Sequence, residues 1–480
     1  MSTPVLRDQE TAGRAPAPAE AHPYLALTVI VGTQLVLMLD LTVVNVALPR
    51  IGSGLGFSPT GMSWVLNVYA LAFGGLLLLG SRVGDLIGRR RALVWGVAAF
   101  TLASVLGGVA NDAATLLVAR GLQGAAAALA APSTLALIAT TFREGPERIR
   151  ALSVFSAVAG GATTIGLTLG GMLTSWGSWR WVFFINIPIG AAVVLLGPRC
   201  IPETARHRGG RFDIAGALTG TLGTASLVYA FIRVGETSWG DSRALATFVT
   251  AAALLAAFLV NETRVEHPLV VLRLFHDRNR PLAYAVMMLL PAAMGSIFYF
   301  STQYLQIYLH YSPIRTGLAF LALSLPLLVA ARIVPRALAA GRSPRVVATV
   351  GLCVSLAGAV WSTRLGASDG YARGVLPTMI LMGFGIGLTM MPLNTVILSG
   401  VAPADAGSAS GLLQTMQQVG ASLGLSVLVT VFGTVSRHHR QDPFIHGVDA
   451  AFALAVVFVA AALALVLALR LPSRTPAAAD

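Results

Sequence analysis

The sequence is poor in charge, and one kind of charged residue is missing altogether. Charged residues make up 11% of the 480 residues, and there is no lysine, so all 33 basic residues are arginines. Soluble domains carry about 25% charged residues, whereas this chain is 55% hydrophobic and has a mean hydropathy of +0.75. These values exclude an ordinary soluble protein and predict a polytopic membrane protein.

Cysteine and metal-binding patterns are scarce as well. Cys200 and Cys353 are the only cysteines and lie far apart, so we expect neither a disulfide framework nor a cysteine metal cluster. His438 and His439 have no acid or thiol cluster beside them in the sequence, so we expect them to be solvated and to bind no metal. The sequence has no G-x-x-x-x-G-K phosphate loop and no evident Ser/His/Asp arrangement, so we expect no ATP drive and no enzymatic activity.

Positive charge is concentrated in the segments between apolar runs. A net charge of +13 would suggest a nucleic-acid partner for a soluble domain. In a membrane protein, the retention of positive charge on the cytoplasmic side explains the net positive charge, so we expect no nucleic-acid partner. The same rule predicts that both termini are cytoplasmic. The last hairpin departs from this pattern, because its outer loop holds Arg437 and Arg440 while its inner loop near Asp405 has no arginine.

Apolar runs of bilayer-spanning length are abundant, and we count about fourteen. The first six lie at roughly 24–48, 62–81, 92–110, 114–138, 151–174 and 181–197. Two extra runs lie at 214–234 and 243–260, and the last six lie at 281–305, 317–335, 346–362, 375–398, 408–434 and 450–470. We predict an all-α protein with a disordered cytoplasmic tail at 1–23, a six-helix bundle at 24–197, linkers with two additional helices at 198–280, a second six-helix bundle at 281–470 and a tail at 471–480.

A charge-dense turn joins the second and third runs, where residues 80–93 read G-S-R-V-G-D-L-I-G-R-R-R-A-L. Its glycines permit a tight backbone path, and its aspartate can meet a helix N-terminus or a neighbouring guanidinium. We predict a cytoplasmic latch made of Gly84, Asp85, Gly88, Arg89 and Arg90.

Two glycine coincidences favour a division into related halves. Gly88-Arg89 recurs 253 residues later as Gly341-Arg342, and Gly171 recurs as Gly424 at the same offset. This is the pattern of parallel repeats in secondary transporters, and chance is the alternative explanation.

Only two charges stand well inside the apolar runs. Asp40 and Arg120 both lie roughly 9–12 Å below the outer face, given a rise of about 1.5 Å per residue. An acid facing an arginine in a low-dielectric interior can carry a proton, because water or a ligand changes the balance between ion pairing and burial. A static ion pair that fixes helix packing is the alternative.

Small and polar residues accompany this pair. Gln123 and Gly124 share a helix face with Arg120, where glutamine can hydrogen-bond and glycine permits close helix approach. The fifth run carries a ridge of small residues on which a neighbouring helix could rock, or simply pack tightly: Gly160, Gly161, Gly166, Gly170 and Gly171. The aromatic residues between Trp179 and Gly190 suit an anchor at the outer membrane interface.

Five motifs follow one another in the first half: L-D-x-T-x-x-N-x-A-L-P at 39–49, G-D-x-x-G-R-R-R at 84–91, R-x-x-Q-G at 120–124, G-x-x-x-G-G at 166–171 and W-R-W-x-F-x-I-N-x-P at 179–188. The second half adds Q-Y-L-Q at 303–306, Y-S-P at 311–313 and D-A-G-S-A-S-G at 405–411, with Gln418 and Gly420. The sequence resembles the fourteen-span drug:proton antiporters of the major facilitator superfamily over nearly its whole length.

The resemblance implies a major facilitator fold and export of a lipophilic compound driven by proton entry. In that comparison Asp40 matches the acid embedded in span 1, Arg120 the span-4 arginine implicated in proton coupling, and Asp85 with Arg89 the inner gating latch. Two positions depart from the family pattern, because Ser81 replaces the usual Gly of the latch and Leu167 replaces the Pro of the antiporter signature. A glycine-rich span can still bend without that Pro.

We expect the substrate pocket at middle depth, where large apolar surfaces and a few amides suit amphipathic molecules. The candidates are Trp64, Asn67 and Tyr69 on span 2, Phe298, Phe300, Gln303 and Tyr304 on span 9, and Gln414, Gln417 and Gln418 on span 13, with Met390 and Met391 as adaptable walls. Each aromatic taken singly is more often a packing or lipid-facing residue.

The predicted function is proton-coupled export of drugs, antibiotics or related metabolites across the cytoplasmic membrane. Asp40 would exchange proton for substrate, and Arg120 would tune the proton affinity of Asp40. We expect a monomer that needs no cofactor beyond the proton gradient. Two alternatives stay open, a facilitator or importer of a neutral metabolite on the same fold and a non-transporting membrane receptor.

Overall fold

A computed structural model describes residues 23–58, 60–142, 146–203, 213–265, 268–270, 272–366, 370–399, 401 and 406–470. Throughout these ranges the secondary structure consists of helices and the turns between them, with no strand. The predicted tails at 1–22 and 471–480, the polar segment at 204–212 and Asp405 lie outside the described residues. The all-α prediction is confirmed.

Fourteen long helices follow one another along the chain. The first six are α1 Pro23–Leu55, α2 Gly61–Ile87, α3 Arg89–Gly108, α4 Ala113–Thr141, α5 Pro146–Trp176 and α6 Trp181–Cys200. Two more are α7 Ile214–Glu236 and α8 Ser242–Arg264. The last six are α9 Asn279–Tyr308, α10 Pro313–Ala339, α11 Pro344–Ser362, α12 Tyr371–Leu398, α13 Ala406–His438 and α14 Pro443–Leu467.

Among the described residues, thirteen of these helices are long and apolar enough to cross a membrane. Helix α5 extends over 31 residues and packs along α1. The predicted number of about fourteen spans is therefore confirmed. We call the face at which α2 ends and α3 begins the arginine-rich face, because Arg82 and residues 89–91 lie there, and we call the other end of the helices the opposite face.

The helices pack as two bundles, α1–α6 and α9–α14. In the first bundle α4 packs on α2 and α3; in the second α12 packs on α10 and α11, and α9 packs on α13 and α14. The bundles meet along two seams, one between α2 and α13 and the other between α5 and α10, and α1 also contacts α9. Helices α1, α2, α9 and α13 therefore surround the centre of the molecule.

Helices α7 and α8 form a hairpin on the α2–α13 seam. Helix α7 packs on both α2 and α13, and α8 packs along α7. Small residues permit the close approach of the two helices: Gly216 faces Asn261, Gly220 faces Phe258 and Gly223 faces Leu255.

Charged caps hold both ends of this hairpin. At the arginine-rich face, Asp213 accepts hydrogen bonds from the Asn261 side chain and from the first turn of α7, each at 2.7 Å. At the other end, Asp241 caps α8 by accepting from the backbone N–H of Ala244 at 2.8 Å and pairs with Arg233 at 2.7 Å. The Arg233 guanidinium holds the pKa of Asp241 below its usual range, so this ion pair persists at neutral pH.

The turns after α2 and α10 support the two-halves hypothesis. Gly88 has a φ of +99° and Gly341 a φ of +79°, a backbone region that side chains other than glycine rarely enter. Each glycine links the second and third helices of its bundle. The sequence offset of 253 residues therefore joins two turns with the same backbone requirement.

The last hairpin differs from the sequence-based boundaries. Helix α14 begins at Pro443, whereas the last span was predicted to start at residue 450. Asp449 therefore lies inside the helix and not before it. Arg437 lies in the last turn of α13 and donates to the carbonyls of Gly235 and, at 3.2 Å, Val234 at the end of α7. A basic residue there stabilises a helix C-terminus, which accounts for an arginine on a face where few were expected.

Candidate functional site

The two charges predicted inside the membrane form one buried ion pair. Asp40 on α1 and Arg120 on α4 are both fully buried, and Nη1 of Arg120 donates to Oδ2 of Asp40. Oδ1 of Asp40 accepts hydrogen bonds from Nε2 of Gln123 and from Nδ2 of Asn186, each at 2.9 Å. The carboxylate thus accepts three hydrogen bonds away from solvent, which is what a buried charge requires.

Arg120 is also held by groups on α2. Its Nε donates to the carbonyl of Val65 at 2.9 Å, and its guanidinium carbon lies 4.5 Å from the centre of the Tyr69 ring. This is a cation–π contact in a desolvated site. Among the described residues, Nη2 of Arg120 has no hydrogen-bond partner, so one end of the guanidinium is free to form a new bond.

Ser104 on α3 completes the network. Its Oγ accepts from Nε2 of Gln123 at 2.8 Å and lies 3.3 Å from Nδ2 of Asn186. Helices α4 and α6 therefore bind the carboxylate of α1 directly, and α2 and α3 hold the residues that bind it. Gln123, predicted as a helix-packing residue, is a direct donor to Asp40.

The sequence analysis missed Ser104 and Asn186. Asn186 lies within the aromatic motif after Trp179, which was interpreted as an interface anchor. Trp181 fits an anchor, because it is 53% exposed, whereas Trp179 packs edge-on against Phe183 with ring centres 6.2 Å apart and is buried. An amide in an otherwise apolar run was the signal that could have identified Asn186.

A cavity of about 340 Å³ lies at the centre of the molecule, between the bundles. Its walls come from α1, α2, α9 and α13 and are mainly apolar. Three predicted pocket residues line it, namely Asn67, Phe298 and Gln418. Among the described residues, Nδ2 of Asn67 and Nε2 of Gln418 have no hydrogen-bond partner, so the cavity presents two free amide donors.

The other predicted pocket residues lie outside this cavity. Trp64 contacts Tyr229 of α7 with ring centres 6.1 Å apart, Tyr69 covers Arg120, and Tyr304 stacks on Tyr308 at 5.3 Å. Large aromatic side chains also fill helix interfaces, so a substrate site at these three residues stays a prediction. The cavity wall also leaves out Gln303, which is buried at the end of α9, Phe300 in an aromatic core, Gln414, Gln417 between Met287 and Met390, and the exposed Met391.

Asp40 and the cavity lie on different sides of α1. The cavity is lined by Met38, Leu41, Thr42 and Asn45, which recur with the period of one helix face. Asp40 points away from them, toward α4 and α6. Helix α1 is therefore the wall between the ion pair and the cavity.

The predicted latch forms a compact charged turn. Asp85 pairs with Arg89 at 2.5 Å, and Arg90 pairs with Glu203 at 3.2 Å. Gly88 makes the sharp turn between the two helices, and a Cβ on Gly84 would come within 3.2 Å of the Arg89 side chain. The latch residues are thus brought together as the sequence predicts.

The latch borders a cleft between the bundles. The cleft has a volume of about 120 Å³, and its walls include Arg82, Asp85 and Arg89 from the first bundle and Ser408 from α13. A charged pair on one wall can therefore make or break contacts with the other bundle as the cleft changes width.

The predicted packing glycines lie at close helix contacts. A side chain on Gly124, Gly166, Gly170 or Gly171 would overlap a neighbouring helix or force it to move. The nearest neighbours are Tyr69 for Gly124, Thr42 for Gly166, Val43 for Gly170 and Pro313 of the second bundle for Gly171. The side-chain surroundings of Gly160 lie outside the described residues, and Gly161 faces open space.

Polar contacts join the two bundles at the opposite face. The Thr302 hydroxyl donates to Oδ1 of Asn45 at 2.9 Å, and Nε2 of Gln306 donates to the carbonyl of Val46 at 2.7 Å. Both bonds connect α9 to α1 beyond the cavity. The structure is therefore a conformation in which the bundles are closed toward the opposite face.

The adjacent histidines lie near the same face. The ring of His439 stacks on that of His446, with 4.4 Å between ring centres. Within the ranges that the structure describes, no group of three or more His, Cys, Asp or Glu side chains is placed to hold a metal ion.

Comparison with known families identifies the fold. A family model described as the Major Facilitator Superfamily matches residues 30–425. The chain belongs to this superfamily. Two six-helix bundles around a central cavity are thus a major facilitator fold, and the prediction from the sequence motifs is confirmed.

Named relatives of this major facilitator protein cover nearly its whole length. It is 42% identical to the puromycin resistance protein pur8 of Streptomyces alboniger, over 94% of this chain and 92% of the relative. It is 37% identical to the cephamycin export protein CmcT of Amycolatopsis lactamdurans, over 91% and 90% of the two chains. Among solved structures, an auto-inhibited POT family peptide transporter matches with a TM-score of 0.66 at 16% identity, over 94% of this chain and 99% of that one, which shows the fold alone.

Proposed function

We propose that this protein exports lipophilic compounds across the cytoplasmic membrane in exchange for protons, by alternating access between its two bundles. The observation that carries the proposal is the buried ion pair of Asp40 and Arg120 behind the wall of a mainly apolar cavity. The relatives' printed names, puromycin resistance protein and cephamycin export protein, support an antibiotic or similar metabolite as the exported compound.

Protonation of Asp40 would remove the charge that balances Arg120. A buried guanidinium left without its partner costs about 3–5 kcal/mol, so the arginine has to seek other acceptors or water. Its remaining contacts include the Val65 carbonyl, Oε1 of Gln123 at 3.0 Å and the Tyr69 ring. Because the carboxylate ties α1 to α4 and α6, a proton at Asp40 loosens α1 within its bundle and shifts the balance between conformations.

The substrate acts on the other side of the same helix. An amphipathic molecule in the central cavity would touch Met38, Leu41 and Thr42 on α1 and could accept hydrogen bonds from Asn67 and Gln418. Proton and substrate therefore both act on α1 without sharing a binding site. This replaces the direct exchange at Asp40 expected from the sequence by an indirect exchange through α1.

The latch at the arginine-rich face would secure one of the two conformations. Asp85 and Arg89 line a cleft whose other wall is α13, so widening or narrowing the cleft changes the surroundings of this ion pair. We place the arginine-rich face and both termini in the cytoplasm, because positive charge is retained there. The protein would act as a monomer without a cofactor, driven by the proton gradient, and would catalyse no covalent chemistry.

The test is transport by the full-length protein in proteoliposomes that enclose a pH-sensitive dye. With a proton gradient imposed, puromycin, a cephamycin and other lipophilic compounds are added one at a time, and proton flux and compound movement are both recorded. Asp40→Asn should lower compound-dependent proton flux at least about 100-fold, which corresponds to roughly 3 kcal/mol.

The matched control is Asp112→Asn, an exposed aspartate that caps the same helix that carries Arg120. Asparagine caps helices as well as aspartate does, so this variant should transport normally. Undiminished proton flux in Asp40→Asn would remove Asp40 from the mechanism. Compound movement without protons would indicate a facilitator, and no movement of any compound by an inserted protein would favour a receptor.

A further inference from the structure

A second apolar cavity lies beside the α7–α8 hairpin, outside the central cavity. Its volume is about 250 Å³, and its walls come from α2, α7, α8, α13 and the segment before α9. We propose that this cavity, here called the lateral site, binds lipophilic molecules that carry a hydrogen-bond acceptor and that enter it from the bilayer. Export through such a site rests on the proposed function, whereas binding to it does not.

The lateral site exists because small residues line one face of α7. Gly220 faces Phe258 of α8 and Thr221 lies against Gly75 of α2, so neither glycine adds a side chain to the space, which Thr224 also lines. The remaining walls are apolar, from Leu255 and Phe258 on α8 and from Leu412, Met416, Val419 and Leu423 on α13. Helix α8 packs along α7 and not along the bundles, so the cavity lies under the outermost helix of the protein, next to the bilayer.

One polar atom in the lateral site has no partner. The Thr224 hydroxyl donates to the Gly220 carbonyl at 2.8 Å and the Thr415 hydroxyl donates to the Gly74 carbonyl at 3.1 Å. The buried Oγ1 of Thr221 has no hydrogen-bond partner among the described residues. A lipid acyl chain would leave this hydroxyl unpaired, whereas a carbonyl or phosphoryl oxygen on a lipophilic compound would accept its proton.

The lateral site and the central cavity share a wall. Asn67 and Ala70 on α2 and Gln418 on α13 face the central cavity, whereas Gly75 and Thr415 face the lateral site. The wall between them is the α2–α13 seam, which also joins the two bundles. A compound in the lateral site therefore lies next to the seam whose movement would admit it to the centre.

The experiment measures protection of single cysteines in proteoliposomes without a proton gradient. The background carries Cys200→Ala and Cys353→Ala, and cysteine replaces Thr224 or Leu227 in the lateral site. Leu222, which lies on the lipid side of α7 and is 52% exposed, is replaced as the matched control. The label is monobromobimane, and the probes are triphenylphosphine oxide, which has a strong acceptor oxygen, and triphenylmethane, which has none.

Triphenylphosphine oxide should slow labelling of Thr224→Cys and Leu227→Cys and leave Leu222→Cys unchanged. Adding Thr221→Val should weaken that protection roughly three- to tenfold, the usual worth of one hydrogen bond, and triphenylmethane should protect more weakly from the start. Equal slowing at all three cysteines would mean that the probe only dissolves in the bilayer and would overturn the site. Protection unaffected by Thr221→Val would overturn the role of the hydroxyl.

The link to export is tested separately. Thr224→Phe fills the lateral site from a position outside the central cavity and the ion pair. It should raise KM for an exported compound about tenfold with kcat unchanged, because uptake from the bilayer and not the transport step is impaired. An unchanged KM would refute the entry role. If no compound is transported by the unmodified protein, the proposed function fails, while the labelling result still decides the site.

Discussion

The two bundles have the same helical layout and different interiors. The first is organised around Asp40 and Arg120, fully buried and paired. The sequence offset of 253 residues that relates Gly88 to Gly341 aligns Asp40 with Ala293, which is fully buried in an apolar core. The same offset aligns Arg120 with Arg373, which is exposed at the start of α12. The second bundle has no ion pair at the equivalent position.

Aromatic packing takes the place of charge in the second bundle. Phe300 lies between Phe432 and Phe452, with ring centres 5.3 Å and 6.3 Å away, and Tyr299 packs edge-on against it at 5.1 Å. Such a core does not respond to protons. Under the proposed function, proton sensing would therefore belong to the first bundle, and the second would be the surface against which it moves.

The largest expected effect comes from breaking the buried ion pair of Asp40 and Arg120 in the first bundle. Arg120→Gln alone leaves a buried carboxylate without its cation and should destabilise the protein by about 3–5 kcal/mol. Asp40→Asn combined with Arg120→Gln leaves two neutral groups that can hydrogen-bond to each other, so most of the stability should return. Proton-coupled transport should stay absent in the double variant.

Thermal unfolding in detergent and proton flux in proteoliposomes measure these two properties separately. A double variant that regains both stability and proton flux would make the pair a static packing element. The two bundles would then differ in composition only, and the proton site would have to be sought elsewhere.

Much of this first-bundle arrangement could be predicted from the sequence. A charge inside an apolar run is costly, so Asp40 and Arg120 each need a partner. Their matching depth indicated that they pair with each other. Ser104 carries no such cost signal, because small neutral polar residues are common in membrane helices, and Asn186 carries only the weaker signal of an amide in an apolar run. Which helix face meets which could be determined only from the packing, so their convergence on Asp40 was not predictable.

The predicted pocket residues divide between the central cavity and the helix interfaces, for a related reason. Aromatic residues such as Trp64 and Tyr304 fit a binding site and a helix interface equally well, and the sequence does not distinguish the two. Asn67 and Gln418 were identified because an amide in a membrane helix needs a partner or a function. The lateral site was not predicted, because it arises from the absence of large side chains on α7 and α2.

A smaller effect is expected from substitution of Gly171 and Gly424, which are also 253 residues apart. A Cβ on Gly171 would lie 2.8 Å from Cα of Ile314 in the other bundle, whereas a Cβ on Gly424 would overlap Ala292 of its own bundle. Gly171→Ala should therefore disfavour the closed conformation, and Gly424→Ala should lower the stability of the second bundle, each by about 1–3 kcal/mol.

The two glycine variants are distinguished by the distance between spin labels across the opposite face and by thermal unfolding. Gly161→Ala serves as the control on the same helix as Gly171, because nothing lies within 4 Å of its Cβ position. If Gly424→Ala changed the label distance as Gly171→Ala does, the second bundle would not behave as a rigid body.

The smallest effect is expected from Asp449, the acid inside α14. Its side chain is half-buried, and among the described residues its Oδ1 has no hydrogen-bond partner. Among the described residues no arginine pairs with it, so Asp449→Asn breaks no network of the kind that surrounds Asp40. Asparagine has nearly the same size as aspartate, so proton flux should stay close to normal and the pH profile should not move. A loss of proton flux comparable to that of Asp40→Asn would show that the second bundle also carries a proton site. The division of roles between the bundles would then be wrong.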